Sequence, residues 1–270
     1  MEKIRKPVVS GYFYPGEEKI LREDLKRYIE HEEKKLSPKA IICPHAGYVY
    51  SGKTAGKVYS KIIPPDVVII IGPNHHGYGE PYAIDDSDEW ETPLGKVEID
   101  KEIKEKLLEK SRYLHADSIA HKQEHSIEVQ IPFLQFINPV ITIVPVLISG
   151  MHDANPWYEI GYTIALTIDQ IKKNVLVIAS SDFTHYEPAE SAEKKDRLAI
   201  EKIVNLDADG FLDTVSEHDI SICGFAPIVS AITSAKTLGS NKGMLVEYTN
   251  SGKVSGDFEQ VVGYAGIILF

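Results

Sequence analysis

Two cysteines in 270 residues, Cys43 and Cys223, are too few for a disulfide framework and fit a reducing compartment in which each thiol is core or ligand. No window approaches the roughly 18 apolar residues needed to span a membrane, and the start, Met1-Glu2-Lys3-Ile4-Arg5-Lys6-Pro7, has no apolar h-region. These absences predict a cytoplasmic protein with no membrane partner. Concentrated basic sequence is missing too. Forty Asp and Glu against 29 Lys and Arg leave a formal charge of −11, and phosphate-backbone binding needs clustered cations, so no nucleic-acid partner is expected. With no linker composition, low-complexity tract or fixed-period repeat, residues 1–270 read as one domain. There is also no G-x-S-x-G elbow, which argues against a Ser-His-Asp hydrolase despite Ser180, Ser181, Asp182 and His185.

What the chain does have is three apolar, strand-like runs that each end in residues fit for chemistry. Ala40 to Cys43 runs into Pro44-His45, Val67 to Gly72 into His75-His76, and Val175 to Ser181 into Asp182 and His185. Ligands of open α/β sheets bind outside the carboxyl ends of the strands, so these side chains are expected to share one crevice. Adjacent histidines on extended backbone point to opposite sides, so one of His75 and His76 faces it. Cys223, before Gly224 at the start of a helical pattern, is a fourth candidate. A helix N-terminus there is expected to lower its thiol pKa and favour a metal-binding thiolate, whereas Cys43, inside a strand, reads as core. Imidazoles, a carboxylate and a thiol together suit a transition metal. Asp182 and His185 are three apart, which suits a carboxylate supporting a general base.

Periodicity predicts an amphipathic helix over Glu17 to Leu36, a helix from about Gly52 to Ile63, and helices at Lys101–Ser111, Glu124–Phe136, Tyr158–Lys172, Ala189–Asn205 and Gly224–Leu238. Strands are expected at 40–43, 67–71, 140–148 and 175–179, giving two βαβ passages and parallel pairs, and at 244–249 and 261–270, joined through an antiparallel turn region. Pro81 to Ile99 reads as short alternating pieces. The fold class is α/β, a mixed central sheet with helices on both faces.

Two other motifs compete. His121-Lys122-Gln123-Glu124-His125 fits the H-x-x-E-H pattern of inverted zinc peptidases, although His121 lies where the helix is only starting. Within that helix Glu124 and Glu128 would lie on one face, with His125 beside Glu128. Gly47 to Thr54 fits the P-loop pattern G-x-x-x-x-G-K-[ST], but Tyr48-Val49-Tyr50 resists the positive φ values of a phosphate cradle.

Taken in order, Pro44-His45-Ala46-Gly47-Tyr48 with Tyr50-Ser51-Gly52, Gly72-Pro73-Asn74-His75-His76, Glu124-His125-Ser126-Ile127-Glu128, Ser180-Ser181-Asp182-Phe183-Thr184-His185 and Ile222-Cys223-Gly224 resemble the motif series of the MEMO family. The likeness extends from Gly11-Tyr12-Phe13-Tyr14-Pro15 to Gly263-Tyr264-Ala265-Gly266. It implies a fold similar to the catalytic subunits of extradiol, non-haem iron dioxygenases. It also implies that His45, His75 and Cys223 stand at metal-ligand positions, that Asp182 and His185 stand near the general-base position, and that His125 belongs to the pocket. Cys223 replaces the dioxygenases' carboxylate, and a thiolate there suits copper or a redox role. The resemblance therefore implies a metalloprotein using iron(II) or copper, with zinc as a further candidate, in redox or dioxygenase-like chemistry on an unknown small substrate. The alternative from another class is a non-catalytic module that binds a peptide or small anion in the same crevice; animal members of the family are linked to receptor signalling and phosphotyrosine-peptide binding.

Overall fold

The computed structural model describes residues 3–150 and 153–270. A short strand β1 (Ile4–Arg5) leads to helix α1 (Glu18–Tyr28), β2 (Ala40–Cys43), α2 (Tyr48–Lys61) and β3 (Val67–Pro73). Then come β4 (Tyr82–Ile84), β5 (Glu89–Thr92), β6 (Gly95–Ile99), α3 (Lys101–Lys110), β7 (His115–Ala116) and α4 (Ser118–His121). A 3₁₀ turn at Glu128–Gln130 runs into α5 (Ile131–Ile137), followed by β8 (Thr142–Ile148), α6 (Asn155–Asp169), β9 (Val175–Ser180) and β10 (His185–Glu187). The chain closes with α7 (Ala189–Val204), α8 (Ala208–Glu217), α9 (Phe225–Thr237), β11 (Gly243–Asn250), α10 (Gly252–Ser255) and β12 (Val261–Leu269).

Every residue of β2, β3 and β9 is buried, a pattern that requires cover on both faces of the sheet. Ile69, Ile71, Val177 and Ala179 pack with α6, α7 and α9 through Ile160, Ile203 and Val229. The alternate residues Val68, Ile70, Leu176 and Ile178 pack with α1, α2 and α5 through Leu25, Val58 and Leu134. The period of two thus divides one strand between two cores, and the expected α/β class with a mixed sheet and helices on both faces is what the chain adopts.

The parallel centre runs β8-β3-β9-β2, and β12 continues it antiparallel to β2. Both expected βαβ crossovers exist, but neither pairs its own two strands. β9 lies between β2 and β3, and β3 lies between β8 and β9, so the two passages interleave. Hydrophobic period fixes which residues face a core but not which strand is the neighbour.

Several boundaries differ from expectation, α6 among them, which spans Asn155–Asp169 where Tyr158–Lys172 was expected. α1 stops at Tyr28, because the following His31 to Lys35 is charged and supplies no apolar face. α2 begins at Tyr48, four residues earlier than expected, with Gly47 as its N-cap. The expected helix from Glu124 begins only at Glu128, since Glu124 to Ile127 is drawn into the site described below. α8 was not anticipated from the sequence; Phe211 and Thr214 are its buried residues. Among the described residues no helix is long and apolar enough to cross a membrane.

His121, the last residue of α4, is buried against Trp90, with ring centroids 5.9 Å apart. Its Nε2–H donates to the carbonyl of Ala83 at 3.1 Å, and its Nδ1 has no partner among the described residues. It therefore belongs to the core and not to a zinc-binding helix, and burial pushes its pKa down from 6.5 to about 4. Below pH 6.5 the unfolded chain takes up a proton that the folded chain refuses, so this stability is present above 6.5 and is lost as pH falls toward 4. The span corresponds to about 3 kcal/mol. Denaturant melts at pH 7 and pH 4 are expected to show a smaller acid loss for His121→Phe than for wild type, by roughly that amount; equal losses would refute the assignment.

Candidate metal centre

The crevice lies at the carboxyl ends of β2, β3 and β9, where parallel register brings distant residues level. Cys43 pairs with Ser180, and Ile71 pairs with Ala179. His45 follows two residues after β2, and His75 two residues after β3. Ser181 N–H donates to the Cys43 carbonyl at 2.9 Å, so β9 follows β2 to the turn that exposes His45.

Gly72 and Gly224 permit two close approaches. A Cβ on Gly72 would meet Ser126 Oγ at 2.5 Å, so only glycine lets the Glu124–Ser126 loop lie on β3. A Cβ on Gly224 would meet Ser181 Cβ at 2.4 Å, so glycine lets the N-terminus of α9, and Cys223 with it, reach the end of β9.

Three imidazoles meet there. His45 and His75 have ring centroids 5.1 Å apart, His45 and His125 5.5 Å, and His75 stacks on His125 at 4.9 Å. One donor nitrogen from each falls within 4.8 Å of the other two. Cys223 Sγ lies 3.2 Å from His45 Nε2. Among the described residues Cys223 is outside that 4.8 Å group, and a second group of His76, Glu124 and His125 meets the same limit. His75 and His76 are both exposed; His76 Nε2 lies against the Gln123 carbonyl at 3.1 Å, whereas the His75 ring packs against His45 and His125.

Buried partners fix the rings. Ser180 Oγ donates its one proton to the Ser126 carbonyl at 2.6 Å and accepts from Gln130 Nε2 at 2.9 Å. Its remaining lone pair faces His45 Nδ1 at 3.1 Å, so Nδ1 carries the hydrogen and Nε2 is the bare nitrogen. Gln130 is itself oriented, donating to the Pro44 carbonyl and accepting from Tyr59. Glu124 does for His75 what Ser180 does for His45. Its carboxylate accepts from His75 Nδ1 at 2.9 Å, leaving Nε2 free, and from the backbone N–H groups of His75, His125 and Ser126, each at 2.8 Å.

The protonation states follow from these surroundings. Burial, reinforced by His75 and His125, holds the His45 pKa well below 6.5. Burial also pushes His125 down to about 4, against the attraction of Glu124. For Glu124, burial alone would raise the carboxyl pKa, but the bond from His75 and the nearby imidazoles outweigh it, and the net shift is downward. Cys223 runs opposite to the sequence expectation: burial and the Asp182 carboxylate raise its thiol pKa, against the hydrogen bonds from Asp182 N–H and Ser181. The protein alone therefore keeps it a thiol.

Asp182 and His185 sit at the same rim but do not act as a bonded pair. Asp182 accepts from the backbone N–H of His45 at 2.8 Å, and burial raises its carboxyl pKa. His185 Nδ1–H donates to the Ser221 carbonyl at 2.8 Å, and its backbone N–H donates to Ser221 Oγ at 2.8 Å, so Ser221 orients this ring. Glu124 and Glu128 do not share a helix face. Glu128 is fully buried and binds Arg5 at 2.7 Å, Tyr14 at 2.7 Å and the backbone N–H groups of Val8 and Val9. The P-loop pattern is absorbed into α2, where Gly52 packs on Tyr28. Sequence reasoning missed Ser180 and Gln130 as orienting groups, since an isolated hydroxyl and amide carry no pattern. Glu124 was visible as the neighbour of His125 but was assigned to a helix.

These features define an α/β protein with a histidine-lined crevice at the strand ends. A family model described as Memo-like protein matches residues 5–268. Among curated relatives, a MEMO1 family protein of Methanosarcina barkeri is 43% identical over 268 residues, covering 98% of this chain and 100% of its own length. One of Aquifex aeolicus is 42% identical over 271 residues, covering 98% and 99%. The chain belongs to the MEMO family. An uncharacterized protein of Escherichia coli K12 shares the fold with a TM-score of 0.58 at 11% identity, over 85% of this chain and 98% of that one.

Nitrogen-15 NMR of the imidazoles is expected to show His45 as the Nδ1–H tautomer, with no protonation step near 6.5. Ser180→Ala should mix the two tautomers without unfolding the protein; an unchanged single tautomer would show that Ser180 does not set it.

Proposed function

We propose that this chain is a metalloprotein in which His45, His75 and Cys223 hold a transition metal, His125 lies beside it, and His185 and Asp182 serve a small ligand at its open side. The observation that carries the reading is a pair of imidazoles from two strands whose Nδ1 atoms are committed to Ser180 and Glu124, so that each keeps an Nε2 lone pair for a metal. A tetrahedral ion about 2.0 Å from nitrogen and about 2.3 Å from sulfur separates those atoms by roughly 3.5 Å. The 3.2 Å between His45 Nε2 and Cys223 Sγ is close to that separation. The thiol would have to give up its proton to bind the ion, and a bound cation would lower its pKa to that end.

Imidazole with thiolate favours iron(II), copper or zinc over magnesium or calcium. Bound iron or copper would supply electron exchange with a small ligand or dioxygen, and zinc would supply polarisation alone. The chain's own part is to position and to move protons. His185, held through Nδ1, offers Nε2 as the atom that takes or gives a proton. Asp182 fixes the backbone of His45 and brings a carboxyl group of raised pKa to the same rim.

Elemental analysis of protein purified without oxygen or chelators is expected to find near-stoichiometric metal that His45→Ala, His75→Ala and Cys223→Ser lose. Glu124→Gln should keep the ligands but bind about 10–100-fold more weakly. Wild-type protein free of metal would sink the proposal and leave the crevice to a peptide or small anion bound without turnover.

A further inference from the structure

We propose a second metal site at the mouth of the crevice, in which His76, the Glu124 carboxylate and His125 hold a divalent cation such as zinc, separate from the ion assigned to His45, His75 and Cys223. One ligand atom from each of the three residues lies within 4.8 Å of the other two. Ligand atoms around a tetrahedral ion stand roughly 3.5 Å apart. His76 is the exposed member of the group, so its ring has the room to close the difference.

The carboxylate is the first argument. Glu124 is 1% exposed, yet no lysine or arginine pairs with its side chain among the described residues. Its Oε1 accepts from His75 Nδ1 and from the backbone N–H groups of His125 and Ser126, whereas Oε2 accepts only from the backbone N–H of His75. A lone pair on Oε2 is therefore unused, and a buried carboxylate held by imidazoles and amides lacks a full counter-charge. A cation answers both.

His125 is the second argument. His45 and His75 each commit Nδ1 to a partner, but neither ring nitrogen of His125 makes a hydrogen bond to a described residue. Its Nδ1 stands 3.3 Å from Glu124 Oε1 with no hydrogen bond between them. That is close to the separation of neighbouring ligands on one ion. His76 gives up at most one hydrogen bond to join them, that of Nε2 with the Gln123 carbonyl at 3.1 Å.

The donor set decides the ion. Two imidazoles and a carboxylate are harder than a set that includes a thiolate, so this site favours zinc or cobalt(II) over copper(I). Three protein ligands leave a position open for water or for an anionic oxygen of a ligand in the crevice, which the ion would polarise. Open to solvent and without sulfur, the site is the weaker of the two and fills when the ion is supplied. It shares no ligand with the proposed metal centre and stands or falls separately from it.

Chelator-treated protein titrated with cobalt(II) separates the two sites, because only cysteine ligation gives a thiolate-to-cobalt charge-transfer band. Wild type is expected to take up one equivalent with that band and a weaker one without it. His76 is exposed, so His76→Ala spares the fold. It should keep the banded equivalent and weaken the other at least about 100-fold, since losing a ligand costs more than losing a group that only orients one. Cys223→Ser should do the reverse, abolishing the band and leaving an equivalent that still depends on His76. Zinc added to nitrogen-15-labelled protein should displace the weaker cobalt and shift the ring nitrogens of His76 and His125 together. Absence of a band-free equivalent, or one that His76→Ala binds as tightly as wild type, would overturn the second site. Absence of the thiolate band, with a His76-dependent equivalent still present, would overturn the first centre alone.

Discussion

The carboxylate of Glu124 is the interaction on which the site depends. It gathers the ring of His75 and three backbone N–H groups around one buried charge. Four donors and a nearly inaccessible acceptor in one place are stable only together, because each would be costly to leave unpaired. That requirement explains why the chain from Glu124 to Ile127 gives up a helical turn. Its amides close on Glu124 and not on a helix ladder, and His125 is thereby set against His75.

A second buried carboxylate, Glu128, holds that loop from the other side. Arg5 spans both ends of it, donating to the carbonyls of His121 and Glu124 as well as to Glu128. The N-terminal arm, through Val8, Val9 and Tyr14, is bound to the same carboxylate. Phe13 then reaches the edge of His125, 4.9 Å between centroids, while its carbonyl accepts from Tyr48 N–H at 2.7 Å at the start of α2. A buried ion pair contributes little net stability, yet losing one partner leaves a costly charge, so the pair specifies where the arm lies. The arm thus forms a wall of the crevice.

The parallel register does for His45 and His75 what these carboxylates do for the loop. β9 lies between β2 and β3, so the turns after those strands flank the end of β9 with Ser180 between them. The crevice is dry at its base, where His45 is 2% exposed, and opens outward past His75 and His185. Neutral imidazoles at the base follow directly from that gradient, since desolvation disfavours imidazolium. The same burial keeps the Cys223 proton in place.

Much of this was legible in the chain. Continuous apolar runs over 67–71 and 175–179 identified strands buried on both faces, and the residues just past them were the right places to look for the crevice. His45 and His75 stood out as polar residues just past apolar strands, whereas His125 was placed in the pocket only by the family resemblance. The strand order was not legible. Periodicity reports burial, and β2 could pair with β3 or with β9 without changing which side chains face a core. The helix expected from Glu124 failed for a related reason. Its apolar spacing from Ile127 through Leu134 is real, but the charge at Glu124 found better partners in His75 than solvent offered.

By itself the sequence determined the α/β class, the two-sided sheet and the residue types at the strand ends, because those depend on local period and on where apolar runs stop. Only the tertiary structure decided which nitrogen of His45 and of His75 is bare, that Ser221 orients His185, and that Cys223 remains a thiol. Each depends on a partner far along the chain and on how much water reaches it, and neither is encoded in spacing.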